Sequence, residues 1–206
     1  DAADMLAERH PDIEIEPVVG DFTRHLHRLA GVTSTGPKLV AFLGGTIGNF
    51  YVEERRAFLG ALSDVLQPGD WVMLGIDRVK PIDRLIAAYD DAQGITEAFI
   101  RNSIVNINRT YDGDLDVGNF SYVPFWDGRE ERIDMRLRAN EPMTARLAAL
   151  DVDLDFAAGE ELRVEISSKF TPDKIIDELG DAGFECEPQV LTDDAGDFAL
   201  ILARRC

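Results

Sequence analysis

Apolar residues recur at different rhythms along this chain, and each rhythm predicts a different kind of element. Residues 2–9 have helical composition, closed by Pro11 and Asp12, and residues 13–19 (IEIEPVV) alternate apolar and acidic positions as a half-buried strand does. Gly20 and Asp21 then open a short helical piece, DFTRHLHRL. Residues 38–45 (KLVAFLGG) form an unbroken apolar run closed by glycines, which predicts a strand covered on both faces. Phe58, Leu59, Leu62, Val65 and Leu66 recur at helical spacing within residues 52–66, and Gln67-Pro68-Gly69-Asp70 stops that helix. Residues 71–77 (WVMLGID) read as a second buried strand. Strand, helix and strand with short connectors predict parallel pairing through a right-handed crossover.

From about residue 80 this rhythm breaks down. Residues 81–90 and 96–109 look helical, the latter with Phe99, Ile100, Ile104 and Ile107 on one side. Four strand-like runs follow, FSYVPFW, ERIDMRLRAN, MTARLAALDVDLDF and LRVEISSKF, separated by Asp-Gly and Ala-Gly turn signals as in an antiparallel set. Thr171 and Pro172 suit the cap and first position of a last helix, with Gly183 near its other end. Two strands, around CEPQVL and FALILARR, complete the pattern. The expected fold is therefore a parallel α/β domain, residues 1–79 and 170–206, interrupted by an α+β insertion over residues 80–169. A nucleotide-binding sheet usually opens with a strand, a glycine-rich turn and a helix. The pattern here starts mid-fold, which predicts that an N-terminal portion lies outside this chain.

Composition narrows the chemistry. With 206 residues, 45% of them hydrophobic and 29% charged, the chain is a globular one, and its net charge of −18 argues against nucleic acid and anionic membranes as partners. No apolar stretch approaches bilayer length and the N-terminus lacks a secretory pattern, so a cytoplasmic protein acting on a small molecule is expected. Cys186 and Cys206 do not make a disulfide framework. His10, His25 and His27 show no metal-ligand spacing, and no metal is expected.

Three groups of residues could carry chemistry. Phe42-Leu43-Gly44-Gly45-Thr46-Ile47-Gly48-Asn49-Phe50 is a glycine-dense turn at the carboxyl end of a buried strand, where open α/β sheets hold ligands. Its glycines match neither phosphate-binding fingerprint, leaving a backbone that can approach a ligand closely and an Asn49 amide beside it; a plain strand-to-helix turn is the alternative. Asp21 could accept from an exocyclic amine while Phe22 packs on a ring plane, or the two could be a helix cap and a core residue. Glu165 and Ser167 share one face of a strand. A carboxylate beside a hydroxyl can satisfy both nitrogens of an imidazole, though both could instead face solvent on an edge strand. Tyr89 and Met135 read on their own as packing residues.

The order VVGDF, FLGGTIGNF, GIDRVK, AAYDD, IDMRL and RVEISSKF resembles the histidine-specific N-α-methyltransferases of ergothioneine biosynthesis, in an actinobacterial-looking version, along essentially the whole chain. The resemblance covers the C-terminal two thirds of such a protein. It implies a Rossmann-like class I methyltransferase core that binds S-adenosylmethionine and an inserted domain that completes a pocket for L-histidine, whose α-amino group is methylated three times to hercynine. By the same resemblance Asp21 and Phe22 hold the adenine, and Gly44 and Asn49 act in catalysis by orienting the amino group. Tyr89 donates to the substrate carboxylate, Glu165 and Ser167 read the imidazole, and Met135 flanks it. The family's glycine-rich first loop, its ribose-binding acidic residue and its N-terminal tyrosines have no counterpart in this sequence. Either a companion N-terminal fragment completes this chain or it is an inactive piece of an enzyme; the intact protein is expected to be a monomer. A methyltransferase for another small amine and a non-catalytic binding module remain open alternatives.

Overall fold

A computed structural model describes residues 2–31 and 36–206. Helix α1 (Ala2–Arg9) is followed by α2 (Phe22–His25), which runs on into a 3-10 helix over Leu26–Gly31. Strand β1 (Leu39–Phe42), helix α3 (Val52–Val65) and strand β2 (Trp71–Asp77) form the expected unit, with β1 and β2 parallel from Leu39 opposite Trp71 to Phe42 opposite Leu74. Glu54 accepts from the Tyr51 amide at 2.9 Å, which closes the first turn of α3, and Phe58, Leu59 and Leu62 supply its buried face. Buried Asp70 accepts from the amides of Lys38 and Gln67 at 2.8 and 2.9 Å, pinning the start of β1 to the turn before β2.

Helices α4 (Ile82–Tyr89) and α5 (Ile95–Tyr111) come next, then the antiparallel strands β3 (Phe120–Asp127) and β4 (Arg132–Ala139), the hairpin β5 (Met143–Leu147) and β6 (Val152–Phe156), and β7 (Glu161–Ser168). Strands β3, β4 and β7 pair in that order. After α6 (Pro172–Asp181), capped by Thr171, the chain adds β8 (Phe184–Cys186), β9 (Leu191–Thr192) and β10 (Phe198–Arg205) to the first sheet. The order there is β1-β2-β10-β8, with β10 antiparallel to its neighbours and β9 also on β10.

The β1-β2-β10-β8 sheet and the β3-β4-β7 sheet each have an apolar cluster. Leu59, Leu62, Leu74, Ile175 and Ile201 belong to the first; Ile100, Ile104, Phe120, Ile133 and Leu137 belong to the second. The departure and return points of the intervening chain lie side by side. Arg78 bridges Phe170 in parallel, the Phe170 amide donates to the Asp77 carbonyl at 2.9 Å, and the Val79 amide donates to the Phe170 carbonyl at 3.1 Å.

Three expectations need correcting. Residues 13–19 form no strand: alternation stabilises a strand only against a sheet that buries one face, and Val19 is 94% exposed. Strand β1 is not covered on both faces, since Leu39 and Leu43 are exposed and it has a single partner strand among the described residues. The run 143–156 is not one strand but a hairpin, β5 and β6, reversed through a 3-10 turn at Ala148–Leu150 and a left-handed Asp151 with φ 55°.

Candidate active site

The glycine-dense turn reverses direction at Gly44 and Gly45, with φ values of 79° and 70° that an L side chain rarely adopts. It then enters a 3-10 helix over Thr46–Asn49, anchored by fully buried Ile47. A Cβ on Gly48 would stand 2.7 Å from the Ser168 carbonyl oxygen, so only glycine lets this helix lie against the end of β7. That close approach brings residues from the two sheets together: Asn49 Nδ2 donates to Glu165 Oε1 at 2.9 Å. Here Asn49 is held by a specific partner rather than forming part of an unattached turn.

On β7 the two-residue period puts Glu165 and Ser167 on one face, as the sequence predicts. Their partners on β4, Met135 opposite Glu165 and Ile133 opposite Ser167, share that face, and Met135 is only 4% exposed. Pairing slips between Met135 and Arg136, so Val164 is the extra residue of a bulge directly beside Glu165. Bulges of this kind bend a strand and re-aim its side chains. Burial raises the Glu165 carboxyl above its ordinary pKa, because desolvation disfavours the charge.

Tyr89 is the last residue of α4. Its hydroxyl lies 2.7 Å from Ser167 Oγ, and its carbonyl accepts from the Tyr122 hydroxyl at 3.1 Å. Burial, reinforced by the charge of Asp90, pushes the Tyr122 pKa up, so Tyr122 stays a protonated donor that steadies the end of α4.

Sequence reasoning missed the group beneath these residues. Lys169 is 0% exposed and donates to the Tyr89 hydroxyl at 2.6 Å, to Ser167 Oγ at 2.8 Å and to Asp77 Oδ2 at 2.8 Å. Asp77, the last residue of β2, also has Lys80 Nζ 2.7 Å from its other oxygen. The signal was present in the sequence. Lys169 continues the odd-numbered face of Glu165 and Ser167, and Asp77 ends a buried strand.

The remaining candidates make none of these contacts. Gly44 and Gly45 line a 440 Å³ cleft with Gly75, Ile76, Phe198 and Leu200. Asn49, Tyr89, Glu165 and Ser167 do not line it. Asp21 caps α2, accepting from the Thr23 amide at 2.9 Å and the Thr23 hydroxyl at 2.6 Å. The Thr23 hydroxyl and amide hold its carboxyl below the ordinary pKa. The Phe22 ring meets Phe42, Phe50 and Phe58 edge-on at centroid distances of 5.3, 6.2 and 6.2 Å, yet Phe22 remains 44% exposed. Through Phe50 it abuts the turn that carries Asn49. Among the described residues no cluster of His, Cys, Asp and Glu could hold a metal ion, and no helix is long and apolar enough to cross a membrane.

Residues 1–205 match the model of a family described as histidine-specific, S-adenosylmethionine-dependent methyltransferases. A histidine N-alpha-methyltransferase of Mycolicibacterium smegmatis is 47% identical over 204 residues, which is 99% of this chain and 62% of that protein. The Mycobacterium tuberculosis protein of the same name is 43% identical over 203 residues, 98% of this chain and 62% of its own. Ergothioneine biosynthesis protein 1 of Neurospora crassa is 39% identical over 71 residues, 34% of this chain and 8% of that protein. The chain therefore spans 62% of the length of the two bacterial relatives.

Proposed function

Because the chain belongs to the family of histidine-specific, S-adenosylmethionine-dependent methyltransferases, we propose that it methylates the α-amino group of L-histidine three times, giving hercynine on the route to ergothioneine. The observation that carries this reading is the 2.9 Å bond from Asn49 to Glu165, which ties a cofactor-side turn to a ring-reading strand. In this division residues 1–79 and 170–206 hold the cofactor, and residues 80–169 supply most of the histidine pocket.

The residues present fit the adenine end of the cofactor. Phe22 keeps an exposed surface for stacking, the exposed Asp21 carboxylate can accept from an exocyclic amine, and the position of a Cβ on Gly44 has only the Thr46 hydroxyl within 4 Å, at 3.9 Å. When bound, S-adenosylmethionine supplies an electrophilic methyl group on a sulfonium. The protein's own work is to present a neutral amine to it. A carboxylate accepts and does not donate, so Glu165 turns the Asn49 amide nitrogen towards itself and leaves the amide oxygen to accept from the substrate amine. With the Gly44 carbonyl as a second acceptor, the amine lone pair is aimed and the reaction becomes one of positioning. A proton leaves the amine before each transfer, to water or a nearby acceptor.

Specificity rests on Glu165 accepting from one ring N–H and Ser167 bonding the other nitrogen, with Met135 against the ring and Tyr89 donating to Ser167 behind it. An amino acid that cannot satisfy these groups leaves them unpaired at a cost of about 1–3 kcal/mol each. The test is Glu165→Ala in the whole protein, by calorimetry and turnover with histidine and other amino acids. We expect kcat/KM for histidine to fall at least about 100-fold, close to 3 kcal/mol, and selectivity to collapse. Selectivity that survives the change would mean another residue reads the ring.

A further inference from the structure

The three N–H groups of Lys169 have three partners: Asp77, Tyr89 and Ser167. An ammonium can only donate. It therefore occupies a lone pair on each of the two hydroxyl oxygens, which themselves lie 2.7 Å apart. Two hydroxyl protons remain. One fits between the two oxygens, and the other has no room to turn back towards the ammonium, so it must point out of the cluster. On the same face of β7 stands Glu165, which accepts from Asn49 at 2.9 Å and has lone pairs left over. The site thus has one donating side and one accepting side, and the sign of the donating side is set from below.

We infer that Lys169 is a positioning residue that, with Tyr89 donating to Ser167, fixes the Ser167 hydroxyl as an outward proton donor, so that the pocket admits a ring with one N–H and one unprotonated nitrogen: a neutral imidazole in a single tautomer. This inference rests on the histidine reading of the same site and adds to it the ligand's protonation state and the residue that imposes it. Asp77 holds the ammonium, with Lys80 beside it, and both ends of the arrangement are secured by backbone: Asp77 by the end of β2 and Lys169 by an amide that donates to the Glu131 carbonyl at 2.7 Å. An imidazolium, with two N–H groups, would set a donor against a donor at Ser167.

The experiment compares L-histidine with the two pyrrolylalanines, which keep one ring N–H and lack the second nitrogen, on the whole protein saturated with S-adenosylhomocysteine. In the unmodified protein histidine should bind about 100-fold more tightly than the better pyrrolylalanine, because the latter leaves the outward hydroxyl unpaired. In Lys169→Met the hydroxyl protons are free to turn inward towards Asp77, and the preference should shrink to about tenfold or less. A role confined to stability would weaken all ligands alike, so an unchanged ratio overturns the inference. Should Lys169→Met fail to fold, the double variant Asp77→Asn, Lys169→Met removes the stranded charge and is read the same way. A second measurement needs no variant. Ring-15N-labelled histidine bound to the unmodified protein at about pH 5.5, below the usual histidine pKa of about 6.5, should show one protonated and one unprotonated nitrogen. A bound imidazolium would overturn the inference while leaving histidine as substrate. Histidine that does not bind at all would remove the substrate reading and this inference together.

Discussion

Strands β4 and β7 carry two buried ionic centres, one on each face of the same sheet, built from the same kinds of residue. On the face away from Glu165, Asp134 is fully buried and takes Arg132 at 2.8 Å, Arg136 at 2.6 Å and Arg163 at 3.1 Å. Arg136 and Arg163 stand directly opposite each other across the ladder, a like-charge pairing that would be unfavourable without the carboxylate between them. Glu161 takes Arg136 and Arg138 at the rim, and the Arg136 guanidinium lies 4.3 Å from the Phe125 ring centroid. Every lone pair of Asp134 that these arginines can reach is spoken for. On the other face the Lys169 cluster is as deeply buried, yet two hydroxyls and a carboxylate keep bonding capacity to spare. Burial and ion pairing are common to both. What separates a structural cluster from a site is hydrogen-bonding capacity left unused.

The comparison can be strained most by Asp134→Ala. Three guanidinium groups would lose a buried counter-charge, and stability should fall by about 3–5 kcal/mol in a denaturant titration, while the histidine preference of the protein that remains folded is unchanged. A loss of preference without a loss of stability would mean that the Asp134 face takes part in recognition. Tyr89→Phe should do the reverse at a smaller scale. Deleting one hydroxyl from the open cluster is expected to weaken histidine binding about tenfold, with a shift of only a few degrees in Tm.

The smallest effect sets two glutamates of one strand against each other. Hydrogen bonds from Arg136 and Arg138 hold Glu161 below the ordinary carboxyl pKa of 4.5, whereas burial raises Glu165 above it. Glu161 therefore contributes stability that is present above pH 4.5 and is lost as pH falls through its lowered value. The contribution of Glu165 is fully present below pH 4.5 and is lost as pH rises through its raised value. At pH 7 Glu161→Gln should lower Tm and Glu165→Gln should raise it slightly, and at pH 3 both differences should shrink. Shifts of the same sign at pH 7 would show that the two faces do not differ in this way.

Much of this organisation was legible in the sequence because it follows from period and register. The pairing of Glu165 with Ser167 on one face needed only the two-residue repeat of a strand, and the helix cap at Thr171 followed from residue chemistry. Tertiary context decided the rest. The alternation of residues 13–19 promised a strand but found no sheet to lie on. The burial of Asp134 depends on three arginines closing around it, which no local pattern in ERIDMRLR announces. Lys169 was overlooked because a lysine beside a phenylalanine ordinarily snorkels to solvent; its role depends on Asp77, ninety-two positions earlier, standing at the end of β2.

The hydrogen-bonded junction between Asp77, Val79 and Phe170 has a consequence for how such a protein can diversify. The intervening ninety or so residues leave the first sheet and return to it side by side at this junction. A segment of different length, sequence or pocket shape could be grafted there like a scion on a rootstock, leaving the strand order β1-β2-β10-β8 undisturbed. Variation would then be written in the graft, while the first sheet stays as it was.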